Sequence, residues 1–296
     1  MICNITDDFL KKVYPKIGKE GVWEAYNEFY YKPNKEILNL HFNRWNGFDK
    51  EELKNIVNKW SKNEFKNVIK AIERFNFNKV EEVIKRSERV LGKLNNLEIY
   101  FIIGDFRSGI YIDQYDNKNI IVIAFEVVSQ YGKLEEVILP SISHELFHLY
   151  HYSKLNKKNI FRKDSFQKLL IDDGLASYFS YMVNTEYSLE KVLIYTKKQM
   201  NMIKKNERRY WQQISQSMKA KSKQECIVLF NAPKKMWKEK LDFIPDWPPR
   251  ISYYYGFKII EQYINENGKD YIKKLMLLKP EKIISGSSYL RGLQNQ

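Results

Sequence analysis

The chain has 296 residues, of which 44% are hydrophobic and 29% are charged. It is therefore long enough for one large domain or two modest ones, and its composition excludes wholesale disorder. Its 50 lysines and arginines outnumber the 36 aspartates and glutamates, which gives a formal net charge of +14. Only 10 of these 50 cations are arginines, the residue that nucleic-acid readers prefer for bidentate contacts. The charge thus indicates a lysine-rich, solvated surface.

The cysteines and the first residues of the chain indicate the cellular compartment. Cys3 and Cys226 are the two cysteines, and their separation argues against a disulfide framework. The first residues lack the apolar stretch of a secretory signal. The longest apolar run, residues 120–125, is far too short to cross a bilayer. The sequence therefore predicts a soluble, cytoplasmic protein without membrane contact.

Taken in chain order, the apolar spacing changes once from helical to extended and back. Residues 17–94 repeat apolar positions at intervals of three and four, which predicts a helical region over 1–95. Residues 97–104, 109–113 and 119–128 are rich in Ile, Val, Tyr and Phe between turn residues, which predicts three strands. The remaining pattern predicts helices over 134–152, 164–184, 188–219 and 251–265 and a final pair beyond 268, with Pro140 kinking the first or lying near its start. The expected fold class is α+β and mostly helical, with domains 1–95 and 96–296 that may pack as one unit.

One stretch concentrates the histidines. Three of the four histidines lie within eight residues, and His144-Glu145-Leu146-Phe147-His148 reads H-E-x-x-H. On a helix the two motif histidines project from one face, one turn apart, as a shared metal requires. His151 continues the stripe, but three such residues span about 10 Å along the axis, too far for one ion.

A zinc site therefore needs a third ligand from another helix. Residues 170–179 supply Asp172 and Asp173, for which an ordinary helix N-cap is the alternative role. The small residues Gly174 and Ala176 predict a close approach between this helix and the motif helix.

The motif followed by Asp-Gly-Leu-Ala resembles the gluzincin metallopeptidases, including a bacterial family of predicted zinc-dependent proteases, over residues 97–262. The resemblance implies a zincin-like sheet with active-site helices, and it places Asp173 where that family has a glutamate ligand. Asp is one methylene shorter than Glu, so Asp172 stays open as the ligand. The resemblance also makes residues 119–128 the edge strand that binds extended substrate, with Glu126 facing the cleft as a substrate-binding residue or as a solvent-facing charge.

Further along the chain, the segment from Arg250 through Tyr253 and Tyr254 resembles a family segment at the start of a helix. It implies an oxyanion-stabilising role for these side chains, whereas plain packing of aromatic residues into the core is the alternative. The resulting hypothesis is a zinc peptidase acting on a peptide or protein. His144, His148 and Asp173 bind Zn²⁺, and Glu145 is the general base of the bound water.

Three alternatives remain open at this point. Two histidines and one carboxylate also suit non-haem iron. A protein of the same fold that has lost catalysis would serve as a binding or regulatory module. A nucleic-acid-binding protein, though disfavoured, would use the basic runs and nearby aromatic residues at Lys197, Lys198, Lys204, Lys205, Arg208, Arg209, residues 234–240, Tyr210, Trp211 and Trp237.

Overall fold

The computed structural model describes residues 1–45, 47, 49–155, 165–217, 246–268 and 272–295. Helices dominate these residues, and four strands form one small mixed sheet. The α+β, mostly helical class predicted from the sequence is confirmed.

The sheet has four strands, one more than the sequence indicated. They are β1 (Ile2–Asn4), β2 (Leu97–Ile102), β3 (Ile110–Tyr115) and β4 (Lys118–Ala124), in the order β1-β2-β4-β3. Strand β1 escaped prediction because three residues are too short to show a period of two. Strands β1 and β4 pair with β2 in parallel, and β3 pairs antiparallel with β4.

This order corrects the predicted edge. Strand β4 is hydrogen-bonded to β2 on one side and to β3 on the other. Its backbone groups are therefore taken, and an extended substrate has no free edge to join along β4. The predicted strand also ends early, because Phe125–Val128 forms a short helix.

A tight turn joins β3 to β4. Asp116 and Asn117 form this turn, with φ of 48° and 57°, and the flanking Tyr115 pairs with Lys118. Two successive positive φ values are typical of the type I′ turn, whose twist matches that of the strands. The turn fixes the register of β4.

Eight helices of nine or more residues are labelled here. They are α1 (Lys50–Asn58), α2 (Lys62–Glu73), α3 (Asn78–Leu91), α4 (Leu134–Lys154), α5 (Phe166–Val183), α6 (Lys197–Lys205), α7 (Glu207–Ser217) and α8 (Ile251–Asn267). Shorter helical segments are Thr6–Asp8, Phe9–Val13, Tyr14–Lys16, Val22–Tyr26, Asn27–Tyr31, Lys35–Asn39, Leu40–Trp45, Leu189–Val192, Ile272–Leu275, Pro280–Gly286 and Ser288–Asn295.

One predicted helix is divided in the structure. Residues 188–219 were expected to form a single helix, but Leu189–Val192, α6 and α7 are separate. Ile194 adopts a φ of 55°, which no helix accommodates. Thr196 then caps α6, accepting a hydrogen bond from the Gln199 N–H at 3.2 Å while the Gln199 side chain bonds back to it. This capping box starts a new helix.

The chain packs as two compact units. Unit 1 contains Met1–Glu82 and Lys93–Glu145, and unit 2 contains Val83–Gly92 and Leu146–Gln296. This grouping by packing does not test the domain boundary expected at residues 95 and 96, which stays a prediction.

Each unit has its own apolar interior. In unit 1 the rings of Phe9, Tyr30, Trp60 and Phe65 make mutual edge or tilted contacts. In unit 2 the main packing is between α5 and α8. Among the described helices, none combines the length and the apolar character needed to cross a membrane.

Candidate metal centre

Helix α4 carries both motif histidines. It runs without interruption from Leu134 to Lys154 with Pro140 inside it, so His144 and His148 lie on one face, one turn apart. His144 is half-buried, whereas His148 is 7% exposed. The motif is therefore on a helix, as its spacing predicted.

Helix α5 brings Asp173 to these histidines. Asp173 Oδ1 lies 3.3 Å from His148 Nε2. One ligand atom each from His144, His148 and Asp173 can be chosen so that all three lie within 4.8 Å of one another. The alternative role of an N-cap is wrong, because α5 begins at Phe166 after the cap Ser165 and both aspartates lie inside the helix.

The two neighbouring aspartates have different partners. Asp172 Oδ1 lies 3.7 Å from His151 Nδ1, and Asp172 Oδ2 lies 3.8 Å from Lys168 Nζ. His151 is 3% exposed, and its Nε2 is 2.9 Å from the carbonyl oxygen of Met276. Asp172 and His151 thus belong to a packing network beside the cluster, and Asp173 belongs to the cluster itself.

The donor set fits a zinc ion. Ligands at about 2.0–2.1 Å in a tetrahedron lie about 3.4 Å apart, which matches the 3.3 Å between His148 Nε2 and Asp173 Oδ1. Two imidazoles and one carboxylate are ligands that Zn²⁺ accepts, and a His144 ring nitrogen lies within 4.8 Å of the other two ligand atoms.

Helix α5 is positioned by a backbone contact with α8, which corrects the role expected of Gly174. A Cβ added to Gly174 would lie 2.5 Å from the carbonyl carbon and oxygen of Gly256. A Cβ on Gly256 would lie 2.3 Å from the carbonyl oxygen of Leu170. Gly174 therefore permits a close approach between α5 and α8. The sequence had predicted a close approach between α5 and the motif helix α4.

The other residues predicted for catalysis are held in different ways. Glu145 is half-buried on α4. The Tyr254 hydroxyl donates to Glu207 Oε1 at 2.5 Å, and Arg250 Nη2 donates to the Ile194 carbonyl at 2.8 Å. Tyr253 is half-buried at the start of α8, and its N–H donates to the Arg250 carbonyl. Tyr254 and Arg250 thus bind protein groups of unit 2 in this structure.

Glu126 lies in a second cluster, within unit 1. It is fully buried in the short helix after β4. The predicted positions in a substrate cleft or at a solvent-facing edge are therefore wrong. The segments that follow β2 and β4 are adjacent because these strands are parallel neighbours. The Phe106 N–H, after β2, accordingly donates to Glu126 Oε1 at 3.3 Å.

Burial sets the protonation of this carboxyl. Loss of hydration raises the pKa of Glu126 to about 7, and the nearby Asp105 carboxylate adds to the increase. Backbone N–H donors, including those of Gly104 and Phe106, oppose it. Glu126 Oε2 has no hydrogen-bond partner within the described part of the chain.

His41 and Asp105 complete this buried cluster, and sequence reasoning missed both. His41 Nε2 lies 3.4 Å from Asp105 Oδ1, and His41 Nδ1 lies 2.9 Å from the Tyr111 hydroxyl. His41 is isolated in the sequence and gave no local signal. Asp105 did offer one, because it closely follows a strand whose parallel neighbour is followed by Glu126.

Comparison with known proteins overturns the peptidase hypothesis. A family described as gliding motility protein GldB matches residues 10–291. No curated protein and no solved structure matches. The resemblance to gluzincin metallopeptidases is therefore not the relationship that the chain as a whole supports.

Several conclusions change with this match. The assignments as an enzyme, a hydrolase and a zinc metallopeptidase are wrong, because the matched family is a motility component. The cytoplasmic location is wrong too, because the family label marks lipoproteins, which belong to the cell envelope. The partners that the match supports are other proteins of the motility machinery, with no support for a peptide substrate.

The nucleic-acid alternative gains no support either. Part of its basic surface, residues 234–240 with Trp237, lies outside the described residues, as does Cys226. Tyr210 and Trp211 are buried, at 1% and 4% exposure, and so are not displayed for stacking on bases.

Proposed function

We propose a metal-stabilised role in the gliding machinery of the cell envelope for this chain, which belongs to the gliding motility protein GldB family. His144, His148 and Asp173 bind one Zn²⁺ ion, and the protein acts by binding other components of the machinery. The observation that carries the metal assignment is the placement of three ligand atoms within 4.8 Å.

The metal's role is to hold α4 and α5 together. Both helices supply ligands, and an ion bound to both is a cross-link that only the folded chain can form. Asp173 sits half-buried beside His148, and a bound cation would compensate the cost of desolvating its carboxylate. The expected contribution is to the stability of the packing between these two helices.

Metal analysis of the purified chain tests this proposal. Protein prepared without added zinc is assayed for zinc and iron, and its thermal unfolding is followed with and without a strong chelator. We expect close to one equivalent of zinc and a lower Tm after chelation. Iron in place of zinc would retain the site and change the metal.

A matched pair of variants localises the ion. Asp173→Asn removes the predicted ligand, whereas Asp172→Asn makes the same change one residue earlier on the same helix. Zinc loss in the first variant and retention in the second is expected. Retention in both, or absence of metal from the wild type together with no effect of added Zn²⁺ on Tm, contradicts the proposal.

A further inference from the structure

The charged residues on the exposed face of helix α6 are all lysines. Successive residues of a helix are rotated by about 100°, so Lys197, Lys198, Lys204 and Lys205 fall within one sector of roughly 120° centred near Asn201. All five of these side chains are exposed. The opposite side is apolar and buried, through Met200 and Ile203.

Helix α7, which follows α6 in the chain, also carries exposed cations. Arg208, Arg209, Gln212 and Gln213 are exposed, while the apolar residues of the helix, Tyr210, Trp211 and Ile214, are buried. We call the exposed side chains of Lys197, Lys198, Lys204, Lys205, Arg208 and Arg209 the basic face. It contains six cations on two consecutive helices of unit 2.

The acidic residue within this stretch, Glu207, is half-buried and bound by neighbouring hydroxyls. Glu207 Oε1 accepts hydrogen bonds from the hydroxyls of Tyr254 at 2.5 Å and Tyr289 at 2.6 Å. Of the six cations, Arg209 forms an ion pair with Asp246 at 2.6 Å. The other five have no ion pair within 4.0 Å among the residues that the structure describes. Among the described residues, the positive charge of the face is therefore offset by Asp246 beside Arg209 and by Glu190 near Lys197 and Lys204.

The lysines act together at the rim of this face. Lys197 and Lys204 both contribute to lowering the pKa of Glu190, after the hydrogen bonds that Glu190 makes to backbone N–H and to Ser188. These two lysines are therefore close enough to attract a neighbouring carboxylate. A partner's carboxylates would be attracted in the same way.

We infer that the basic face docks an acidic surface of another protein of the motility machinery, an inference that takes its class of partner from the proposed function. The described face has no exposed large apolar residue between its cations, and an interfacial helix needs such residues to enter a lipid headgroup layer. It also lacks the exposed aromatic residues on which nucleic-acid bases stack. Compact, solvated lysines without an apolar anchor suit reversible attraction to a carboxylate-rich protein.

A binding experiment with defined probes tests this inference. The full chain is titrated into a fluorescent poly-glutamate peptide and, separately, into phosphatidylglycerol vesicles, at low and at physiological ionic strength. We expect binding to poly-glutamate that weakens with salt, as screening of exposed charges requires. The double variant Lys197→Glu with Lys204→Glu should raise the Kd at least about tenfold.

The matched control reverses two equally exposed lysines elsewhere. Lys66 and Lys70 lie on α2, where exposed Glu64 and Glu73 dilute the charge, and their reversal changes the net charge by the same amount. Less than about a threefold change is expected for this control. An equal loss of affinity for poly-glutamate in both variants would show that binding depends only on net charge, and it would overturn the inference of a docking face. Binding to vesicles but not to poly-glutamate, or to neither probe, would also overturn it, and unchanged thermal unfolding confirms that both variants fold.

Discussion

The two clusters of histidine and carboxylate groups in this protein differ in how far apart their residues lie in the sequence. The metal cluster takes His144 and His148 from one helical turn and Asp173 from the next long helix. The Glu126 cluster in unit 1 takes His41, Asp105 and Glu126 from three distant segments. The first is partly exposed, and the second is buried.

This difference in burial determines whether a metal ion or a proton neutralises the carboxyl groups of each cluster. In the metal cluster one ligand atom from each of three residues lies within 4.8 Å of the other two, so that one cation could contact all three. In the Glu126 cluster burial raises the pKa of one carboxyl, so a proton supplies the neutralising charge. One cluster is expected to respond to metal and the other to pH.

The largest effect on stability is expected from a substitution that disrupts the packing between α5, which carries Asp173, and α8. Gly256→Ala places a Cβ 2.3 Å from the Leu170 carbonyl oxygen, so α5 and α8 must separate along their backbones. We expect a loss of about 3 kcal/mol or more in the free energy of unfolding. Urea denaturation measures it.

Gly292→Ala is the control for this substitution. Gly292 is also helical, but no atom among the described residues lies within 4 Å of the position of its Cβ. Its replacement should leave stability unchanged or slightly increased. Equal stability of the two variants would show that the contact between α5 and α8 is looser than the structure gives.

The second prediction isolates the pH response of Glu126. Below its usual pKa of 4.5 the carboxyl is protonated in the folded and unfolded states alike. Between pH 4.5 and about 7 the unfolded chain ionises while the folded chain keeps the proton, so stability falls as pH rises. Glu126→Gln does not titrate, and its stability relative to wild type should increase by about 3 kcal/mol across this window.

Urea denaturation at several pH values, with chelator present to remove any metal effect, measures this difference. Parallel stability curves for wild type and Glu126→Gln would mean that Glu126 is ionised in the folded protein at lower pH than its burial implies.

The third prediction asks whether the two clusters are separable. His148→Ala should weaken zinc binding at least about 100-fold, because it removes a ligand and not merely a supporting group. His41→Asn, in the Glu126 cluster, should keep the wild-type affinity. Competition against a chromogenic chelator reports both values, and similar losses in the two variants would mean that the clusters are not independent.

The smallest expected effect concerns the hairpin that leads into Glu126. Asn117 has a φ of 57°, which glycine adopts without steric cost. Asn117→Gly should therefore stabilise the protein by about 0.5 kcal/mol, whereas Gln114→Gly, inside β3, should destabilise it by a similar amount. Thermal unfolding compares them, and effects of the same sign would contradict the assigned turn.

Much of the helical architecture follows from local sequence. Helix α4 was expected over 134–152 and spans Leu134–Lys154, and α8 was expected over 251–265 and spans Ile251–Asn267. The breaks between the helices of residues 188–219 were missed, because Ile194 has no local reason to adopt a positive φ. The interior position of β4 was missed as well, because strand order depends on pairing partners far along the chain.

The functional inference failed for a related reason. An H-E-x-x-H spacing specifies two imidazoles on one helical face, and that geometry is the same whether the ion serves catalysis or structure. The family match extends over residues 10–291 and therefore draws on far more of the chain than five motif residues.

The sequence by itself determined the α+β class, the main helices and the positions of His144 and His148 on one helical face, because these depend on spacing within a few turns. Only the tertiary structure decided that Asp173 is the aspartate grouped with His144 and His148, that Gly174 contacts Gly256, and that Glu126 is buried near Asp105. These outcomes depend on how distant segments pack. Adjacent residues of a helix point in directions about 100° apart, and no local pattern says which of the two directions faces the histidines.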